Sequence, residues 1–188
     1  MPQRAFDAAS TAHWTAQVFQ AYQGDWGEFD RGALSPTEVV QRIAQRTGLR
    51  PDEVQSVVDA GAPSLQPIPA ALDLMAQLRR PGQPMFFLSN MPAPYAEHLE
   101  REHACVRDFE DGVFSSRVKL IKPDPAIFAL AAKRFDLPPA ELVFVDDVPV
   151  NPPPGPRRRW PARRRRTPAQ PAASQSALRP AQKSPGRA

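Results

Sequence analysis

Up to about residue 66, apolar residues recur every three or four positions, as they do along one face of a helix. This spacing predicts helices over residues 8–22, 36–48 and 51–61. The second helix has the clearest start, because Ser35 can cap it, a proline follows in the first turn, and Glu38 closes a capping box. We therefore predict an all-helical region over residues 1–66.

Beyond residue 66, short apolar runs alternate with stretches of helical spacing. The runs predict strands over residues 84–88, 112–116 and 142–145. The stretches predict helices over residues 67–80, 94–103 and 124–135. Because strands that alternate with helices are typical of a parallel sheet, we predict an α/β core over residues 67–151.

The apolar pattern ends at Asn151. Residues 152–188 begin with a proline-rich stretch and continue with two arginine clusters, and their only large apolar residues are Trp160 and Leu178. Such a segment cannot bury enough apolar surface to offset the conformational entropy that it would lose on ordering. We therefore predict that residues 152–188 form a disordered tail.

Charge divides the chain at the same place. The net charge of +4 combines 24 basic residues with 20 acidic residues, and every acidic residue lies at or before Asp147. Residues 1–151 are therefore acidic overall, whereas residues 152–188 hold ten basic residues and no acid. Such a tail can bind nucleic-acid phosphates without sequence specificity and with strong salt dependence. A basic-tailed nucleic-acid-binding protein is therefore one alternative function.

Other features bear on the cellular compartment. No stretch approaches the roughly 20 apolar residues that span a bilayer, so we expect no membrane association. The first residues, Met1 to Arg4, lack the apolar segment of a secretory signal. The single cysteine, Cys105, excludes an internal disulfide and fits a reducing compartment. We expect a soluble cytoplasmic protein.

Polar residues follow two of the predicted strands at the point where each apolar run ends. Ser89 and Asn90 follow one run, and Asp146 and Asp147 follow another. The carboxyl ends of parallel strands meet at the edge of the sheet where ligands bind. Adjacent carboxylates repel each other unless a cation binds, and oxygen ligands suit Mg²⁺. Lys122 directly precedes a predicted helix start, where an anion-binding site would recruit a cation.

Each of these segments also has a purely structural explanation. Ser89 and Asn90 can start a turn, and Asp146 can cap a following helix. The nearby Lys119 is interpreted as an ordinary solvated cation, and Lys122 is preferred to it for the anion site because of the Lys-Pro pair.

Taken in order, the segments of residues 10–151 resemble a haloacid dehalogenase (HAD) superfamily hydrolase, of the subclass with a helical cap inserted early in a Rossmann-like core. The resemblance implies that the Ser89 hydroxyl and the backbone N–H of Asn90 hold a transferring phosphoryl group. It implies that Lys122 neutralises charge there, and that the carboxylates of residues 146 and 147 hold Mg²⁺ as cofactor. This set favours a Mg²⁺-dependent phosphatase of small phosphorylated metabolites over the metal-free dehalogenases.

One element of the family pattern is absent from the sequence. The family's first strand ends in Asp-x-Asp, whose first aspartate attacks phosphorus and whose second is the general acid–base. No Asp-x-Asp occurs in the 188 residues, and Asp7, Asp25 and Asp30 follow no apolar strand. Asp30 and the residues up to Gly32 are interpreted as a loop of the cap. We therefore assign no nucleophile.

The absent strand also belongs to the fold, because in the family it lies in the middle of the sheet. Without it, backbone donors and acceptors at two inner strand edges lack partners, so we expect an incomplete core. Our hypothesis is that the chain is N-terminally truncated, carries an unrelated tail over residues 152–188, and is inactive. A catalytically dead HAD-like scaffold that binds a partner is the remaining alternative.

Overall fold

The computed structural model describes residues 16–79, 83–146 and 162–164. Within them, residues 16–19 are helical and lead into a single 3₁₀ turn at Gln20–Tyr22. The longer elements, in chain order, are α1 (Gly24–Arg31), α2 (Pro36–Thr47), α3 (Pro51–Ser64), α4 (Pro69–Leu78), β1 (Phe86–Ser89), α5 (Ala93–Glu102), β2 (Asp111–Phe114), α6 (Ser115–Val118), α7 (Pro125–Arg134), β3 (Phe144–Asp146) and β4 (Ala162–Arg164).

Local signals place the helix ends well. Ser35 caps α2 as predicted: its hydroxyl accepts a hydrogen bond from the N–H of Glu38, and the Glu38 carboxylate accepts one from the N–H of Ser35. Asp124 caps α7 in the same manner, since its carboxylate accepts a hydrogen bond of 2.8 Å from the N–H of Ala126. Gly48, with φ +72°, ends α2 in the left-handed conformation that glycine adopts without strain.

The interpretation of Asp30 to Gly32 as a loop is wrong. Asp30 and Arg31 are the last two residues of α1, and Gly32 caps the helix end with φ +74°. Two glycines in this eight-residue helix lower its intrinsic stability, so the local signal is weak. The helix forms because Trp26 and Phe29, three residues apart, are both buried in the core formed with α2 and α3.

The described strands form two parallel pairs. β1 pairs with β2 from Phe86 opposite Asp111 to Ser89 opposite Phe114, and β3 pairs with β4. No ladder joins β1 to β3 within the described ranges, so the central strand that the family pattern places between them is not among the described elements. The parallel α/β core is confirmed, and its described sheet is incomplete.

β4 lies inside the segment that composition predicted to be disordered. Its backbone pairs in parallel with β3, with Ala162 opposite Phe144 and Arg164 opposite Asp146. Backbone pairing needs no apolar side chain, which is why the composition contained no signal for this strand. The rest of residues 147–188 lies outside the described residues, so the disordered tail and its contact with nucleic acid stay predictions.

Helix α7 holds the two strand pairs together. Its residues Ile127 and Phe128 are buried against the sheet. Phe128 makes an edge-to-face contact with Phe144 of β3, with ring centroids 5.4 Å apart. Phe135, at the end of α7, stacks on Phe86 of β1 at 4.2 Å. One helix therefore sets the positions of both strands whose ends carry the candidate site.

A second core lies among α1, α2 and α3, and one of its buried residues comes from beyond the predicted boundary at residue 66. Tyr95 of α5 packs against Trp26 and Phe29, and its hydroxyl donates a hydrogen bond of 2.5 Å to the carbonyl of Val58. The ring lies so close to α3 that a Cβ at Gly61 would be 2.1 Å from the Tyr95 oxygen. The predicted ranges 1–66 and 67–151 stay a prediction, and the Tyr95 side chain joins α5 to α1 and α3 across the predicted boundary.

Helix α4 has no buried residue, and its apolar Leu72 and Leu78 are exposed. Among the described residues, no helix combines the length and the hydrophobicity required to cross a bilayer.

Candidate functional site

A nearly buried ion pair joins the loop before α7 to the end of β3. The ammonium of Lys122 donates a hydrogen bond of 2.6 Å to Oδ2 of Asp146, and their side chains are only 9% and 11% exposed. The same ammonium lies 5.4 Å from the centre of the Phe144 ring. Because both side chains are nearly buried, breaking the pair would leave each charge uncompensated and away from water, which is strongly unfavourable. The structure thus brings together two of the predicted site residues.

Asn90 fixes the backbone of Lys122 through two hydrogen bonds. Its Nδ2 donates to the Lys122 carbonyl at 3.0 Å, and its Oδ1 accepts from the Lys122 N–H at 2.8 Å. The side-chain amide of Asn90 therefore holds the backbone of Lys122. The group that the family resemblance implies for a ligand contact is a different one, the backbone N–H of Asn90.

Ser89 is the last residue of β1 and directly precedes this contact. Its backbone pairs opposite Phe114 of β2, which fixes the direction of the strand at its carboxyl end. The Ser89 side chain is half-buried, and its hydroxyl makes no hydrogen bond to the other described residues. This hydroxyl can therefore serve a ligand at the edge of the sheet.

A buried serine that the sequence reasoning missed supports the same loop. Ser115 is fully buried at the end of β2, where its hydroxyl donates to the carbonyl of Asp30 at 2.5 Å and accepts from the N–H of Met91 at 2.8 Å. Met91 directly follows Asn90, so Ser115 links the end of α1 to the loop after β1. The signal that could have revealed it is the same as for Ser89: a serine at the point where an apolar strand ends.

Lys119 makes a specific contact that corrects its interpretation as an ordinary solvated cation. It is an exposed residue, but its ammonium donates a hydrogen bond to the carbonyl of Gly32 at the end of α1. A cation at a helix C-terminus satisfies an unpaired carbonyl and interacts favourably with the helix dipole. Lys119 therefore joins α1 to α6, and of the two candidate lysines it is Lys122 that contacts a site carboxylate.

Asp30 is a buried acid in the last turn of α1. It is 3% exposed, and burial raises the pKa of its carboxyl from 3.8 to about 7. Burial raises the pKa of the Tyr95 hydroxyl, and the nearby charge of Asp30 raises it further. The Asp30 carbonyl is held by Ser115, so this acid belongs to the junction between α1 and α6. Its position on a helix agrees with the prediction that it is not the missing nucleophile.

The donor chemistry at the end of β3 fits Mg²⁺. Among the described residues, no three His, Cys, Asp or Glu side chains cluster closely enough to hold a metal ion. Mg²⁺ does not need such a cage, because it is usually held by one or two carboxylates together with waters and phosphate oxygens. Asp146 offers one carboxylate at the site, and Asp147, the second predicted ligand, lies outside the described residues.

Comparison with known proteins points to one family. Residues 5–151 match the sequence model of the haloacid dehalogenase-like hydrolases. The chain is 28% identical over 123 residues to the sesquiterpene phosphatase astK of Aspergillus oryzae; the match covers 65% of this chain and 62% of that protein. The chain therefore spans less than two thirds of the length of this curated relative.

Solved structures agree on the fold. A magnesium complex of a HAD family enzyme from Bacteroides thetaiotaomicron has a TM-score of 0.55 and 23% identity, with 75% of this chain and 76% of that chain covered. The wild-type form of that enzyme with magnesium and inorganic phosphate has a TM-score of 0.55 and 24% identity, with 75% and 77% covered. With most of its length matched by the family's sequence model, this chain belongs to the haloacid dehalogenase-like hydrolase family.

Proposed function

We propose that the ends of β1 and β3 form the phosphoryl- and magnesium-binding part of a phosphatase site. The observation that carries this proposal is the nearly buried pair of Lys122 and Asp146 at the edge of a parallel sheet. A lysine and a carboxylate held beside each other can be re-partnered by a phosphate and a metal cation, respectively. The relatives support it, since one is a phosphatase and another was solved with magnesium and phosphate.

Each residue has a separate role in this proposal. The Ser89 hydroxyl and the N–H of Asn90 orient the phosphoryl group by hydrogen bonds at the end of β1. Lys122 lies between the two strand ends and neutralises negative charge on the phosphoryl oxygens. Because phosphoryl transfer depends mainly on positioning and charge stabilisation, fixed donors on rigid strand ends suit it. Mg²⁺, held by Asp146 and Asp147, would supply further positive charge to the phosphoryl oxygens when bound.

The substrate that we propose is a small phosphorylated metabolite. The helical region of α1, α2 and α3 packs against α5 through Tyr95, and we assign it the role of a cap, which selects the substrate and excludes water. The relative from Aspergillus oryzae is named for a sesquiterpene substrate, so an apolar phosphate monoester belongs in a substrate panel together with sugar phosphates.

We further propose that the 188-residue chain binds phosphate without turning over a phosphate ester. No Asp-x-Asp occurs in its sequence, and the site carboxylate of Asp146 is paired with Lys122. The proposal assigns the Asp146 carboxylate to Mg²⁺, so it leaves no carboxylate assigned to attack phosphorus. The proposal therefore separates two properties of the chain, ligand binding and catalysis.

Calorimetric titration with inorganic phosphate in the presence of Mg²⁺ tests the binding property. We expect saturable binding that weakens about tenfold or more in Lys122→Met, because one charged hydrogen bond to the phosphate is lost. The matched control is Lys133→Met, which removes an exposed lysine of α7 and should bind as the wild type does. Absence of binding by the wild type, or equal binding by both variants, would overturn the proposal.

Hydrolysis of p-nitrophenyl phosphate tests the catalytic property. We expect no Mg²⁺-dependent turnover by the wild-type chain. Turnover that disappears in Lys122→Met would support the phosphatase site and overturn the proposed inactivity.

A further inference from the structure

The side-chain amide of Asn90 makes two hydrogen bonds to the backbone of Lys122, one through Nδ2 and one through Oδ1. We propose that Asn90 is a positioning residue, which holds Lys122 so that its ammonium is presented to the phosphoryl group beside Ser89. This inference rests on the proposed function. It assigns to the Asn90 side chain a role that differs from direct phosphate binding.

The position of Lys122 in the chain explains why such support is needed. Helix α6 ends at Val118 and α7 begins at Pro125, so Lys122 lies in a connecting segment that belongs to neither helix nor strand. A segment of this kind has no ladder of backbone hydrogen bonds to fix its position relative to the strands. Asn90 supplies both hydrogen bonds that a neighbouring strand would supply, one donor and one acceptor.

Lys122 is held at its two ends. Its backbone is fixed to the end of β1 through Asn90, and its ammonium is fixed to the end of β3 through Asp146. A lysine side chain has four flexible carbons, so the direction of its charge depends on where its backbone starts. If the backbone anchor is removed, the ammonium can still reach Asp146, but the backbone of Lys122 is no longer tied to the end of β1.

A purely structural role for Asn90 predicts a different result. Loss of two part-buried hydrogen bonds would lower the stability, and every ligand would then bind more weakly in proportion to the unfolded fraction. A positioning role affects only the ligand that Lys122 contacts. Phosphate affinity should fall, whereas the affinity for Mg²⁺ alone, whose proposed ligands are Asp146 and Asp147, should not.

The test uses Asn90→Ala in the full chain, at a temperature at which circular dichroism shows it to be folded. We expect inorganic phosphate to bind about tenfold more weakly, as the loss of two hydrogen bonds allows. Mg²⁺ titrated alone should bind within about twofold of the wild type. Gln55→Ala is the control, because it removes an exposed amide hydrogen bond within α3 and should leave both affinities unchanged.

A double-mutant cycle separates the positioning role from a general effect. In the background of Lys122→Met, Asn90→Ala should cause no further loss of phosphate affinity, because Asn90 acts through the lysine. An equal loss in both backgrounds would overturn the inference. If Asn90→Ala does not fold, Asn90→Gln carries the same test, since it keeps the amide but displaces it by one methylene group.

The outcome also distinguishes this inference from the proposed function. A wild-type chain that does not bind phosphate contradicts the proposed function itself. A wild-type chain that binds phosphate, with Lys122→Met impaired and Asn90→Ala equal to wild type, contradicts only the positioning role.

Discussion

The ammonium of Lys122 lies 2.6 Å from the carboxylate of Asp146, and the two side chains are removed from solvent almost completely. The pair connects a loop to a strand end 24 residues later in the chain. Because the pair is nearly buried, the attraction between its charges is offset by a large desolvation cost, so the pair adds little to stability. The loss of one partner is much more costly, because it leaves the other charge buried and uncompensated.

Removal of the lysine should therefore destabilise the protein strongly. We expect Lys122→Met to lower the free energy of unfolding by about 3 kcal/mol, because a cation is removed from beside a nearly buried carboxylate. Urea denaturation measures this change. The double variant with Asp146→Asn should lose less than the sum of the two single variants. Strict additivity would show that the two charges do not interact.

The buried carboxyl of Asp30 should make stability depend on pH. Its pKa is about 7 in the folded protein and 3.8 without burial, so the folded state holds the proton more tightly than the unfolded chain does. The contribution of Asp30 to the free energy of unfolding should thus be greatest at or below about pH 4. It should fall by up to about 4 kcal/mol as the pH rises to about 7. Above that range the contribution should stay constant.

Asp30→Asn should remove this dependence, since an amide does not titrate. Urea denaturation of both proteins at several pH values between 4 and 8 measures the difference. Asp73→Asn, which changes an exposed acid on α4, is the control and should retain the wild-type slope. The same slope in Asp30→Asn as in wild type would contradict the assignment to Asp30.

Ser115→Ala should loosen the junction between α1 and the loop after β1. The hydroxyl serves both the part-buried Met91 N–H and the buried Asp30 carbonyl, so its removal leaves two backbone groups without their partner and should cost about 1–3 kcal/mol. Hydrogen exchange at the Met91 amide should become faster. Ser56→Ala removes an exposed serine hydroxyl that bonds the Asp52 carbonyl, and it should change stability by less than about 0.5 kcal/mol.

Gly61→Ala should destabilise the protein, although alanine normally stabilises a helix interior relative to glycine by about 0.5–1 kcal/mol. The added Cβ would lie 2.1 Å from the Tyr95 oxygen and 2.5 Å from Cζ of the same ring. The ring is held by Trp26, Phe29 and its bond to Val58, so it cannot move away without loss of packing. A raised melting temperature would show that Tyr95 has more freedom than these contacts indicate.

Much of the fold was predictable because its signals are local. The Ser35 capping box and the Asp124 cap define the starts of α2 and α7, and each depends on residues within a few positions of one another. β1 and β3 were predicted from apolar runs within two residues of their observed bounds. α1 and β4 were not predicted, because the first depends on burial against other helices and the second on backbone pairing with a distant strand.

The same division applies to the candidate site. Ser89, Lys122 and Asp146 were named from strand ends and from one helix start, which are features of the sequence alone. The sequence did not reveal three contacts: the hydrogen bonds from the Asn90 side chain to the Lys122 backbone, the bond from Lys119 to Gly32, and the bonds of the buried Ser115 hydroxyl. These contacts join residues between 24 and 87 positions apart, and no spacing rule links such positions.

The sequence by itself determined the family, the alternation of strands and helices, and the residue types at the strand ends, because each is encoded in composition and short-range order. The absence of Asp-x-Asp was likewise a property of the sequence. Only the tertiary structure decided which lysine meets Asp146, which amide holds that lysine, and which serine joins α1 to the loop. Those choices depend on distances between segments, and such distances exist only after the helices have packed onto the strands and excluded water from the contacts.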